Sequence, residues 1–145
     1  MQILLCFSER LTELMFDNNL TLEQLGKAIS VTDTAVCYWK NAKTNISLSN
    51  ALKLCDYFGC ALTFLIGRSE TKLDYVPQAC PPFYDRLRQV MREKGISRYQ
   101  IVKEKILSEN NLYCWKKGGD PFLQSVMDLA DYFGYTLDYF VGREK

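Results

Sequence analysis

Apolar residues recur at three- and four-residue spacing along most of the chain. Phe7, Leu11, Leu14 and Met15 form one such stripe, and Phe83, Leu87, Val90 and Met91 form another. That period buries one face of an α-helix, so each stretch predicts a first helix. Asn19 and Gly95 break the stripes, and Thr21 and Ser97 then stand as N-caps before Leu22-Glu23-Gln24-Leu25 and Arg98-Tyr99-Gln100-Ile101. Thr32 and Ser108 are again N-cap residues, opening segments with Val36 and Trp39, or Leu112 and Trp115, on one face. The third helix therefore starts only a few residues after the second ends. A fourth is predicted from about Ser47 to Tyr57, and from Leu123 to Tyr132 in the later stretch, stopping at Gly59 or Gly134. A short fifth ends at Gly67 or Gly142. No period-two alternation competes, so the expected class is all-α.

The two stretches are copies of one another. Phe7-Ser8-Glu9-Arg10-Leu11 recurs as Phe83-Tyr84-Asp85-Arg86-Leu87, Tyr38-Trp39-Lys40 as Cys114-Trp115-Lys116, and Asp56-Tyr57-Phe58-Gly59 as Asp131-Tyr132-Phe133-Gly134. One deletion after Trp115 is the only slip in register. Two tandem five-helix domains, 1–68 and 83–145, are expected. The intervening 69–82 carries Pro77, Pro81 and Pro82 and reads as the linker, because proline lacks a backbone donor and restricts the residue before it.

Composition removes several classes of function. The longest apolar runs, such as Ile3 to Phe7, fall far short of the roughly 20 residues that span a bilayer, so no membrane is expected. Met1 to Cys6 is apolar but has neither a basic start nor a small-residue cleavage site, which points to the cytoplasm. The six cysteines are scattered, with no Cys-x-x-Cys pair, and there is no histidine. Free thiols are expected, with no metal site and no cofactor. The missing histidine, together with the absence of a paired-carboxylate or nucleophile arrangement, argues against an enzyme. The net charge of +1 is divided unevenly: residues 1–70 carry 6 basic and 7 acidic side chains, and residues 71–145 carry 12 and 10. The second half is the better electrostatic partner for phosphate.

Two short helices joined by a tight turn, the second with a polar N-terminal half, make a helix-turn-helix layout. The run from Leu20-Thr21-Leu22-Glu23-Gln24-Leu25 through Val31-Thr32 and Val36-Cys37-Tyr38-Trp39-Lys40 to Leu65-Ile66-Gly67-Arg68 resembles the lambda-repressor/Cro (Xre-type) helix-turn-helix family. Ile96-Ser97-Arg98-Tyr99-Gln100-Ile101, Leu107-Ser108, Leu112, Trp115-Lys116-Lys117-Gly118 and Leu129 to Gly142 resemble it again. The resemblance implies a sequence-specific binder of double-stranded DNA, a bacterial or phage transcriptional repressor that works on the nucleoid and admits a homodimer.

Carried onto this chain, the family's base-reading positions fall on Thr32, Asp33, Thr34 and Tyr38, and on Ser108, Glu109, Asn110 and Cys114. The Asn110 amide suits adenine N6 and N7, and the Asp33 or Glu109 carboxylate suits cytosine N4. Lys40, Lys43, Arg98, Lys103, Lys116 and Lys117 are the phosphate-contacting candidates. Three positions depart from the family. Its phosphate-binding glutamine is replaced by Leu22 and Arg98, the glycine ending helix two by Ser30 and Ile106, and the small residue within that helix is Gly26 but then Val102. A β-branched residue is costly in a left-handed turn, so the second copy is expected to have a longer second helix or a reshaped turn. Leu22, Asp33, Glu109 and Tyr38 on the reading face also admit a protein partner, in an antitoxin-like or phage-inhibitor role.

Overall fold

Residues 2–145 are described by the computed structural model, with side chains from Leu5 onward, and they form ten α-helices and no β-strand. The chain divides into two compact units, Met1–Asp74 and Tyr75–Lys145. No described helix is long and apolar enough to cross a membrane.

The first unit contains α1 (Gln2–Asp17), α2 (Leu22–Ile29), α3 (Asp33–Lys40), α4 (Leu48–Phe58) and α5 (Leu62–Leu65). α1 starts in the apolar opening segment, ahead of its first stripe residue; the side chains of Met1 to Leu4 lie outside the described residues. Phe7, Leu11, Leu14 and Met15 are all buried, together with Leu25, Val36, Trp39 and Leu54. Each such side chain contributes about 1.5–3 kcal/mol by leaving water, and their sum offsets the entropy of ordering short helices that would be marginal alone.

Local chemistry sets the helix ends. After α1, Asn19 adopts φ 54°, and the amides of Asn19 and Leu20 donate to the carbonyls of Phe16 and Met15, which satisfies the last turn. Thr21 accepts from the Gln24 amide at 3.1 Å while the Gln24 side chain accepts from the Thr21 amide at 2.9 Å, a reciprocal capping box. α2 then closes on Ser30, at φ 61°.

The α2–α3 junction is tight. A Cβ placed on Gly26 would lie 2.8 Å from the Val31 carbonyl oxygen and 3.3 Å from the Asp33 nitrogen. α2 therefore rests directly on the turn that aims α3, and the two helices pack closely.

The second unit repeats the order with α6 (Phe83–Lys94), α7 (Arg98–Lys103), α8 (Glu109–Lys116), α9 (Leu123–Phe133) and α10 (Leu137–Phe140). Its core includes Leu87, Val90, Ile101, Leu112, Trp115 and Phe140, and Phe83 meets Trp115 edge-on at 5.2 Å. α7 is shorter than α2, and the expected change takes the form of a reshaped turn, with no added helix. The left-handed residue is Lys105, φ 60°, one position earlier in the repeat than Ser30. Ile106 thereby avoids that conformation, which a β-branched side chain tolerates poorly. Val102 in the place of Gly26 forbids the close approach, and α7 and α8 touch only marginally.

The segment 69–82 is bonded along much of its length. The Ala61 amide donates to the Lys72 carbonyl at 2.7 Å, and Arg10 reaches both the Ser69 carbonyl and the Glu70 carboxylate at 3.3 Å, all within the first unit. Within the second, the Tyr75 hydroxyl donates to Asp138 at 2.5 Å and accepts from Arg143 at 3.1 Å, while Gln78 pairs with the carbonyls of Gly142 and Arg143. Asp138 and Arg143 are buried, so burial accompanies partnership, as it must for charged groups. Arg86 is also buried and donates to the Phe140 carbonyl at 3.0 Å, the Tyr139 carbonyl at 2.8 Å and the Gln89 side chain at 3.1 Å. It closes the end of α10, whose last carbonyls lack helical donors.

Two stability outcomes are expected. Gly26→Ala gains helix propensity but forces the Val31 turn to move, for a net loss of about 1–2 kcal/mol in the first unit. Arg86→Leu leaves buried carbonyls without their donor and costs the second unit about 2 kcal/mol. Each unit holds one tryptophan, so urea denaturation of Trp115→Phe and Trp39→Phe backgrounds reads the two losses separately. An unshifted midpoint for either variant would contradict the contact assigned to it.

Candidate nucleic-acid interface

α3 buries Val36 and Trp39 and turns the rest of its circumference outward. Thr32, Asp33 and Thr34 at its start are exposed, and Tyr38 one turn on is 43% exposed. The Thr32 hydroxyl accepts from the Ala35 amide at 3.1 Å, so its acceptor capacity is engaged in capping while its proton stays free to donate. The Asp33 carboxylate accepts from the Thr34 amide at 2.9 Å, next to the positive end of the helix dipole, where a negative charge is stabilised. Asp33 thus has a structural task beside any reading role. Beyond α3, Ala42 adopts φ 56° and the Lys43 amide donates back to the Tyr38 carbonyl at 2.8 Å. This turn leaves Lys43 exposed. Lys40 is half-buried, and its carbonyl accepts from the Ser8 hydroxyl of α1.

α8 has the same division. Leu112 and Trp115 face the core, and Ser108, Glu109, Asn110, Cys114, Lys116 and Lys117 are exposed. Ser108 accepts from the Asn111 amide at 3.1 Å, capping as Thr32 does. Gly118, φ 95°, and Gly119 carry the chain away. A Cβ on Gly119 would sit 2.8 Å from the Cys114 carbonyl, so only glycine permits this turn without displacement.

All fourteen sequence-predicted residues lie on or beside α3, α7 and α8, but the cations differ in setting. Arg98 begins α7, exposed and in no ion pair among the described residues, and Lys116 is exposed at the end of α8. Lys103 lies with its ammonium 5.9 Å from the Tyr99 ring, and Lys117 lies 5.6 Å from the Tyr113 ring. Each of these two rests on an aromatic face, a contact worth about 0.5–1 kcal/mol at an exposed site. Sequence reasoning passed over Tyr99 and Tyr113, 74% and 58% exposed, and left half-buried Cys37, whose sulfur accepts from the Asn41 side chain at 3.4 Å, out of the contact set. The signal was present: Tyr113 is four residues from Glu109, and Cys37 is three from Thr34, which places each on the outward face.

The turn after α7 has its own anchor. The Tyr132 hydroxyl on α9 donates to the Glu104 carboxylate, and this hydrogen bond to an anion is the main reason the tyrosine pKa is raised above its ordinary value. Tyr135 is raised as well, chiefly by partial removal from solvent and then by the Glu93 charge.

No curated protein and no solved structure matches the chain. Residues 15–65, from the last turn of α1 through α5, match the Xre-type helix-turn-helix family, a family of DNA-binding regulators.

Proposed function

We propose that the chain is a sequence-specific double-stranded DNA-binding transcriptional repressor. In this reading it is built from two tandem helix-turn-helix copies, 1–68 and 83–145, joined through 69–82. The carrying observation is the α2–turn–α3 unit, where Gly26 lets α2 seat on the turn and α3 buries Val36 and Trp39 while presenting Thr34 and Tyr38. A helix held in this way enters the major groove with its N-terminal residues at base edges. The family match over 15–65 supports the same reading, and the residue-by-residue repeat extends it to α8.

Thr32, Asp33, Thr34 and Tyr38 on one copy, and Ser108, Glu109, Asn110 and Cys114 on the other, are the proposed base contacts. Lys40, Lys43, Arg98, Lys103, Lys116 and Lys117 neutralise phosphates. The division of labour follows the packing. α3 is fixed rigidly and suits direct readout, whereas the second unit has the more exposed cations and contributes more of the salt-dependent affinity.

Selection of bound sequences from random duplexes, followed by anisotropy titrations over a range of salt, tests this. Lys116→Ala with Lys117→Ala is expected to weaken binding to every duplex and to reduce the log–log salt slope by about 2. Asn110→Ala is expected to cost about 1–3 kcal/mol and to relax preference at one base pair while the slope is retained. Absence of binding at low salt would remove the proposal, and an Asn110→Ala variant with unchanged sequence preference would remove that residue from the reading set.

A further inference from the structure

The second unit carries a pattern on α7 and α8 that the first unit lacks. Tyr99 on α7 and Tyr113 on α8 are largely exposed, and each is followed four residues later by a lysine whose ammonium lies over its ring, Lys103 at 5.9 Å and Lys117 at 5.6 Å. In the repeat, Tyr99 stands at the place of Glu23 and Tyr113 at that of Cys37. Glu23 pairs with Lys27 at 3.2 Å, so those two charges cancel. Lys103, the counterpart of Lys27, enters no ion pair among the described residues and keeps its charge. A single exposed aromatic residue needs no explanation, but the same pairing of tyrosine with lysine on two consecutive helices does.

Positive charge is concentrated in the same place. Residues 97–119 hold five basic side chains (Arg98, Lys103, Lys105, Lys116 and Lys117) and two acidic ones (Glu104 and Glu109), net +3, and all five cations are exposed. The corresponding residues 21–43 of the first unit hold three basic side chains and two acidic ones, net +1. Of the two acids near the rings, Glu104 accepts from the Tyr132 hydroxyl, and Glu109 lies in the first turn of α8, where the helix dipole stabilises it. A polyanion therefore meets an excess of cation on these two helices.

We propose that α7 and α8 bind a single-stranded nucleic acid, with Tyr99 and Tyr113 stacking on unpaired bases and with Arg98, Lys103 and Lys117 on its phosphates. A tyrosine ring has two faces. The lysine over one face leaves the other open to a base and sets an ammonium beside the strand's backbone. A single strand uses both parts of the pair, because its base faces are open. A duplex keeps its base faces stacked on one another and shows only their edges, so it engages the lysines and leaves the rings idle. Every base has a π-face, so this contact tolerates any sequence, and it does not rest on the base-edge readout proposed above for duplex DNA.

Anisotropy titrations of the full chain test it, with labelled oligothymidylate and oligouridylate of about twelve nucleotides and abasic strands of the same length and sugar. The base-bearing strands are expected to bind, and the abasic strands to bind at least about tenfold more weakly although their phosphates are the same. Tyr99→Ala with Tyr113→Ala should weaken binding to the base-bearing strands at least about tenfold, with salt slope, circular dichroism and duplex affinity retained, and Tyr99→Phe with Tyr113→Phe should restore it. Lys103→Ala with Lys117→Ala should instead reduce the salt slope by about 1.4. Binding of either base-bearing strand supports the proposal, and the tighter of the two identifies DNA or RNA as the source. No single-strand binding at low salt overturns it, as does an abasic strand that binds as tightly as its base-bearing match. A tyrosine-to-alanine double variant with wild-type single-strand affinity overturns it too. Loss of duplex and single-strand affinity by the same factor in that variant also overturns it and reassigns the rings to the duplex surface.

Discussion

The approach of α2 to the turn before α3 is the constraint on which the first unit depends. Because a Cβ on Gly26 would clash with the Val31 carbonyl at 2.8 Å, the position and tilt of α3 are set by backbone lying on backbone, which leaves little room for rotamer adjustment. The buried Val36 and Trp39 then lock the rotation of α3 about its own axis. Its outward residues follow from that rotation: once the two apolar positions are inside, Thr34, Cys37, Tyr38 and Asn41 have no other side to occupy. The placement of the candidate reading surface is thus a consequence of one missing methyl group.

The second unit shows what happens when the methyl group is restored and enlarged. Val102 keeps α7 away from the turn, the closing left-handed residue moves forward to Lys105, and α7 and α8 share little contact. A lysine in that conformation costs about 1–2 kcal/mol relative to glycine. The Tyr132–Glu104 hydrogen bond from α9 ties the same turn down from the other side. Exposed Tyr99 and Tyr113 lie under Lys103 and Lys117, so cations that a bare charge count treats as equivalent to Lys116 have a partner of their own.

One position in the repeat illustrates how alike sequences acquire different tasks. Arg10 stacks on the Phe64 ring at 4.0 Å and pairs with Glu70, whose side chain is 90% exposed, a surface pair worth well under about 1 kcal/mol. Arg86, its counterpart, is buried and donates to the carbonyls that end α10. The difference lies in what the chain places nearby. Ser69 and Glu70 follow the first unit and reach Arg10, whereas Tyr75 and Gln78 precede the second and seal its final turn through Asp138, Gly142 and Arg143.

Helical periodicity and the capping residues Thr21, Thr32, Ser97 and Ser108 were legible in the sequence because each rests on interactions within a few residues. So was the outward set on α3 and α8, which follows from which positions are apolar. Three features were not legible. The proline-bearing segment reads as a linker but is bonded at Ser69, Glu70, Lys72, Tyr75 and Gln78 to the units it adjoins, through partners up to 68 residues away. Whether Ile106 at the turn would lengthen α7 or reshape the turn depended on where the neighbouring backbone lay. Which cations lie on rings distant in sequence, Arg10 on Phe64 and Lys94 on Tyr135, depended on folding. Local pattern determined the helices and their faces; only the tertiary structure decided spacing and partnership, because both depend on contacts between residues that the sequence holds apart.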